Sequence, residues 1–323
     1  MTANIFARAL WSAFVLCCFG TSAGAQTYPD RPVRIIVPFP PGGGSDVAAR
    51  ALAQSLSDSL GKSFIVDNRP GAGGAIGTEV AARSPADGYT LLLADTSHII
   101  NMVVTRKPRY DAVKDFTPVA MVATTPLALM ANPSFEPSLK QLLTMPREET
   151  EKVDMGISGV AGGPHMTYLL VRLQTGLTLN EVQYKGATPA MIDTVSGQIP
   201  LVFTSLAAGV PHLRSGKLKA IGVTSAARHP LTPDAPTFQE SGLNGVVVLL
   251  WYGFLAPVGT PPDRVALLQR ELMKALETPF VRERFDALAL DVAPRDAEQF
   301  RGTLEADFKL WGDVATRSGL KVD

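Results

Sequence analysis

Seven short apolar runs alternate with helical segments, and this alternation constrains the fold more than any other feature of the sequence. The runs are VRIIVP at 33–38, SFIVDN at 63–68, YTLLLAD at 89–95, VDMGIS at 153–158, EVQYK at 181–185, IPLVFTS at 199–205 and LKAIGVTS at 218–225. Strands spaced by helices predict an α/β fold of doubly wound domains with mostly parallel sheets. The clearest helix is expected over Ser45–Leu60, with Ser45 as N-cap, Val47, Leu52, Leu56 and Leu60 near one face, and Gly61 as the stop. A second spans Pro261–Glu277, where Val265, Leu268, Leu272 and Ala275 recur at helical spacing and Glu271, Lys274 and Glu277 read as a solvated face.

A chain of 323 residues is long enough for two domains. Proline-marked stretches at 123–135 and 246–260 read as crossings between them, which gives a first domain of 26–130 plus 250–323 and a second of 131–249. The N-terminus has a different character. Arg8, the apolar stretch Ala9–Gly20 and the small residues Ser22-Ala23-Gly24-Ala25 form an export signal over 1–25, with cleavage after Ala25 and a periplasmic destination. The longest later apolar run, GVVVLLWYGFLAP at 245–257, falls short of the ~18 residues of a membrane helix and reads as a buried strand.

Both cysteines, Cys17 and Cys18, lie in the export segment, so the mature chain has no disulfide, thiol nucleophile or thiolate metal ligand. Lipidation at Cys17 is disfavoured by the bulky Leu16 before it. Losing Arg8 leaves the mature chain one acidic residue in excess, which offers no basic footprint for nucleic acid or an anionic membrane. The histidines, at 98, 165, 212 and 229, show no metal-ligand spacing, and His212 and His229 read as surface residues. No cofactor or metal motif is present, and no G-x-S-x-G elbow marks a hydrolase.

The motif with chemical content is VPFPPGGGSDVAAR at 37–50, a strand that runs through Pro38 and Phe39 into Gly42-Gly43-Gly44 and then a helix opened by Ser45-Asp46. Glycines let a ligand approach the backbone, and the free amides of a first helical turn attract anions. A Walker loop would end in Gly-Lys-Ser/Thr, and the dinucleotide pattern would need glycine where Val47 stands. A second cluster, NRPGAGGAIG at 68–77, holds Asn68, Gly71, Ala72 and Gly73. Two such turns after neighbouring parallel strands meet at the carboxyl edge of a sheet, where open α/β domains bind ligands. Segment 156–166 repeats this arrangement with Ser158 before the turn and His165 after it, either a ligand contact or a residue bonding helix-end backbone; Tyr184-Lys185-Gly186 opens a further helix.

In this order the motifs resemble the Bug receptors, extracytoplasmic binding proteins of tripartite tricarboxylate transporters. The resemblance is carried by YPDRPVRIIVPFPPGGGSDVAAR, NRPGAGGAIGTEVAARSPADGYTLLLA, YDAVKDFTPVAMVA, VQYKGATPAMIDTVSGQI, SGKLKAIGVTS, PTFQESGL and WYGFLAPVGTP. It implies a two-domain flytrap fold with the ligand cleft between domains, a small organic carboxylate as ligand, membrane transporter subunits as partners, a monomer and no catalysis. Carried onto this chain, the ligand loops are Pro38–Asp46 and Asn68–Gly74, joined by Thr96 and Ser97 and, from the second domain, by Ser158, His165, Tyr184 and Lys185. Two departures stand out: Gly162 replaces the usual hydroxyl residue, and Thr204-Ser205 rather than an acid follow Phe203. Both imply a ligand whose far end is less polar than citrate. Two alternatives are a ligand sensor for a membrane signalling partner and an exported esterase using His165 as base.

Overall fold

The computed structural model describes residues 28–322, so the export segment at 1–25 lies outside the described residues. The first run forms β1 (Val33–Val37), followed by α1 (Gly44–Leu60), β2 (Phe64–Asn68), a 3-10 turn at Ala72–Gly74, α2 (Ala75–Ala82), β3 (Thr90–Asp95) and α3 (Ser97–Val104). Ile35, Ile36 and Val37 are wholly buried, as expected of a central parallel strand covered on both faces. The long strand β4 (Phe116–Ala131) leads to α4 (Leu139–Thr144), α5 (Arg147–Thr150), β5 (Asp154–Ser158), α6 (Gly163–Thr175), β6 (Asn180–Tyr184), α7 (Ala187–Ser196), β7 (Leu201–Ser205), α8 (Leu206–Arg214) and β8 (Lys219–Val223). The chain returns through β9 (Leu249–Pro257), α9 (Pro262–Glu277), α10 (Pro279–Asp286), β10 (Asp291–Arg295) and α11 (Ala297–Ser318).

The strands form one mixed sheet in the order β2-β1-β3-β9-β4-β7-β5-β6, with β8 and β10 also paired to β4. Two parallel trios, β2-β1-β3 and β7-β5-β6, are joined through antiparallel β9 and β4. The sheet is therefore less parallel than the alternation alone predicts. The stretch that reads as a proline-marked crossing is strand through Ala131, because Pro118 and Pro126 fall inside β4 and the sheet accepts them. By contacts, Arg31–Asp323 make one compact unit, consistent with two long strands shared by both trios.

Three local expectations are corrected. The N-cap of α1 is Gly43, with no side-chain cap, and Ser45 lies inside the first turn; Gly61 does end the helix, in the left-handed conformation at φ 66°. Glu271 is buried, and its carboxylate binds Arg270 and Lys274. Strand β9 begins only at Leu249. Beneath it, Gly253 leaves the space taken by the Phe300 ring of α11, whose atoms would lie 2.3 Å from a Cβ at 253. Trp251 packs edge-on against Phe300 and donates from Nε1 to Asp307 at 2.7 Å, which fixes α11 under the crossing strands.

Candidate functional site

The register places the carboxyl ends of the two trios opposite each other. Asp95 pairs with Tyr252, and Tyr252 with Ala123 of β4, so β3 ends level with residue 123 while running in the direction of β4. Strand β7 runs the other way and ends at Ser205, paired with Leu127. The two edges thus face each other across four residues of β4, about 13 Å at strand rise.

Two helix N-termini converge over this gap. A Cβ on Gly44, the first residue of α1, would lie 2.9 Å from the Tyr252 hydroxyl, and a Cβ on Gly163, the first of α6, would lie 2.5 Å from Leu250 Cδ2. Leu250 and Tyr252 are two apart on β9 and share a face. A Cβ at either position would have to push these side chains aside, so glycine lets both helices start close to the strand and their first-turn amides approach one region.

The loops of the first trio are tied in a ring. Asp46 is buried and accepts from the Gly42 amide (3.0 Å), Arg50 Nε (3.0 Å) and Asn68 Nδ2 (3.0 Å); Asn68 Nδ2 also donates to the Phe39 carbonyl at 3.0 Å. Burial favours the neutral acid, but the hydrogen bonds from Arg50, Gly42 and Asn68 outweigh it and hold Asp46 below its ordinary value. Asn101 donates to the Gly73 carbonyl at 2.8 Å, linking the second loop to α3. The loop at 71–74 passes through Gly71, Ala72, Gly73 and Gly74, all at positive φ, and the Phe39 ring lies over Gly74. Pro38 is buried and packs on Gly77, where a Cβ would sit 2.6 Å from the Arg69 carbonyl. Thr96 turns into the protein and accepts from the Trp251 amide at 3.1 Å, while Ser97 donates to Asp95.

In the second trio the turn 159–162 is held by its neighbours. Gly159 donates to the Tyr184 carbonyl at 3.0 Å, and Ala161, at φ 57°, donates to His165 Nδ1 at 2.9 Å. The ring proton of His165 is then on Nε2, which faces Glu181 Oε2 at 3.0 Å. Of the two sequence readings of His165, the geometry matches the backbone-bonding one, since both ring nitrogens are engaged. Ser158 donates to Thr204 at 2.9 Å, and the Tyr184 hydroxyl donates to Asp193 at 2.7 Å. Burial, with the negative Asp193 beside it, pushes the Tyr184 hydroxyl up to about 12. Lys185 is exposed at the end of β6. Phe203 faces the opposite side of β7 from Thr204 and lies in the core with its ring 6.0 Å from Phe238, so strand alternation removes it from the loop edge.

Sequence reasoning passed over Asp95, Thr124 and Tyr252, which lie at the gap because β9 and β4 carry them there; no local motif marks them. His229 is also buried, contrary to its surface assignment, with Nδ1 accepting from the Leu231 amide at 3.2 Å. Among the described residues no cluster of acids and histidines has the makings of a metal site, and no helix is long and apolar enough to cross a membrane. An open recess of about 370 Å³ lies along edge strand β2, lined by Arg34, Ile65, Asp67 and Arg69, but its lining includes no helix N-terminus.

Residues 48–320 match the tripartite tricarboxylate transporter family receptor. The chain belongs to this receptor family. It is 37% identical to protein BugT of Bordetella pertussis over 92% of each chain. A solved R. palustris protein carrying adipate superposes with a TM-score of 0.84 at 30% identity, covering 91% of this chain and 99% of that one. MatC from Rhodopseudomonas palustris, with bound malate, gives 0.80 at 31% identity over 89% and 99%. The resemblance to Bug receptors drawn from the motifs is thereby established, as is the two-domain solute-binding fold of the receptor family.

Proposed function

We propose that this receptor binds a small organic carboxylate through the first-turn amides of α1 and α6 and the glycine turn before α2, and delivers it to the membrane subunits of a tripartite transporter. The observation that carries the reading is the seating of Gly44 and Gly163 on one face of β9, two residues apart. Backbone dipoles then supply the attraction, in keeping with a chain that has no excess of basic side chains. Solved relatives that carry adipate and malate support a carboxylate ligand. Val160, half exposed at the tip of the second-trio turn, supports a far end of low polarity. The site comprises the two loops at 38–46 and 68–74 with Ser97, Ser158, Tyr184 and Lys185, while Thr96, His165 and Thr204 position them.

In this reading the lobes are 26–130 plus 250–323 and 131–249, and they close about the β4 and β9 crossings on ligand binding. The mature monomer acts in the periplasm after cleavage behind Ala25. An esterase mechanism would need a free imidazole nitrogen, and His165 has both engaged. A thermal-shift screen of carboxylates on ligand-free mature protein tests the proposal. A true ligand at about 100 Kd adds roughly 2.7 kcal/mol of stability, and a screen in which no carboxylate raises Tm overturns it.

A further inference from the structure

Asp95 ends β3 directly across the ladder from Tyr252, so the two side chains leave the sheet on one face, the face on which Gly44 opens α1. Its hydrogen bonds come from the Ser97 amide and hydroxyl, both on Oδ1. Among the described residues Oδ2 accepts nothing, although the residue is only half-buried and sits at the edge where the glycine loops meet. Among the described residues no basic side chain pairs with it; its charge reaches Tyr110 and Tyr252 and pushes both hydroxyls up in addition to their burial. Burial, against the Ser97 hydrogen bonds, raises Asp95 itself to about 6. A carboxylate beside an anion-binding turn repels a plain anion, and its retention there needs a partner that donates.

We infer that Asp95 Oδ2 accepts a hydrogen bond from the ligand and selects carboxylates that carry a hydroxyl or ammonium donor next to the bound carboxyl group. The inference rests on the carboxylate-receptor reading above. First-turn amides of α1 take the carboxyl oxygens, and the donor on the adjacent carbon reaches Oδ2 on the same face. A donor-free analogue leaves Oδ2 without a partner and meets its charge.

The test is calorimetric titration of the mature protein with matched acids. One series is succinate, malate and aspartate; the other is 3-phenylpropionate, 3-phenyllactate and phenylalanine. The wild type is expected to bind at least one donor-bearing member about tenfold or more tighter than its donor-free analogue. In Asp95→Asn, an ammonium-bearing ligand loses about 10- to 100-fold, a hydroxyl-bearing one loses less because the amide oxygen still accepts, and the donor-free acid binds equally or better. The wild-type comparison within each series needs no folded variant. Equal affinity across both series, or an equal loss for all members in Asp95→Asn, overturns the assignment while leaving the receptor reading intact. If neither these acids nor the wider carboxylate screen bind, the receptor reading itself fails and the assignment with it.

Discussion

The hydroxyl of Tyr252 lies against the backbone of Gly44, so the start of α1 rests on the crossing strand β9. The contact joins the glycine turn before α1 to the segment that links the two trios, and a Cβ added at residue 44 must push on a ring that is 5% exposed.

Gly44→Ala is therefore expected to cost about 1–3 kcal/mol by overpacking, despite alanine's better helix propensity. Tyr252 makes no hydrogen bond through its hydroxyl among the described residues, so Tyr252→Phe alone changes stability little and, in the double variant, restores most of the loss. Urea unfolding of the two single variants and the double reads this out. Additive losses would mean that the hydroxyl is not what excludes a Cβ.

Gly43→Asp separates binding from folding. Gly43 has φ −80° and ψ 172°, and the nearest atom to a Cβ there is the Pro40 carbonyl oxygen at 4.0 Å. Aspartate at this N-cap holds stability or raises it by a few tenths of a kcal/mol. Its charge occupies the amides proposed for the ligand, so carboxylate affinity falls at least about 100-fold. Unchanged affinity in a normally folded variant removes the first loop from the site.

Asp46 and Asp95 give opposite pH signatures. Asp46 is held below its ordinary value, so the folded state binds its proton less readily than the unfolded chain. Its stabilising contribution is full above about pH 4 and is lost as pH falls through its folded value. Asp95 is raised to about 6, so its ionisation opposes folding at pH 7, and that penalty fades as pH drops from 6 towards 4. Asp95→Asn is expected to raise Tm at pH 7 with the gain vanishing near pH 4. Asp46→Asn is expected to lower Tm at pH 7, with the difference narrowing below pH 4. Scanning calorimetry from pH 7 to 3 distinguishes the two slopes.

His165→Ala removes the acceptor of the Ala161 amide and the partner of Glu181. We expect a stability loss of about 1–3 kcal/mol from the unsatisfied buried groups, and weaker carboxylate binding through a loosened 159–162 turn. Turnover of an ester substrate that depends on His165 would contradict the receptor assignment; the readout is a hydrolysis assay beside the binding titration.

Much of this molecule could be read along the chain. Each of the seven apolar runs is a strand to within two residues of its ends; the inner strands are largely buried and so apolar, whereas β2 and β6, at the sheet edges, are partly exposed. The glycine turns were legible for a related reason: Gly42, Gly71, Gly73, Gly74 and Gly159 take positive φ, which other residues adopt at a cost. Helix capping was less legible, since Ser45 has the right chemistry for an N-cap but the chain turns one residue pair earlier, at Gly43.

Local pattern also determined that the fold alternates strand and helix, and that glycine-rich turns follow several strands. It could not determine which side chains stand between those turns. Asp95, Tyr252 and Leu250 come to the gap between the two trios only because β9 pairs with β3 on one side and β4 on the other, and Asp95 and Tyr252 are 157 positions apart in the chain. It likewise left His165 open between ligand contact and scaffold. The tertiary structure sets a glutamate on β6 3.0 Å from its Nε2, through the pairing of β5 with β6. Hydrophobic period and backbone conformation are local properties, whereas register between distant strands follows from how the whole core packs, and register decides which side chains stand between the glycine turns.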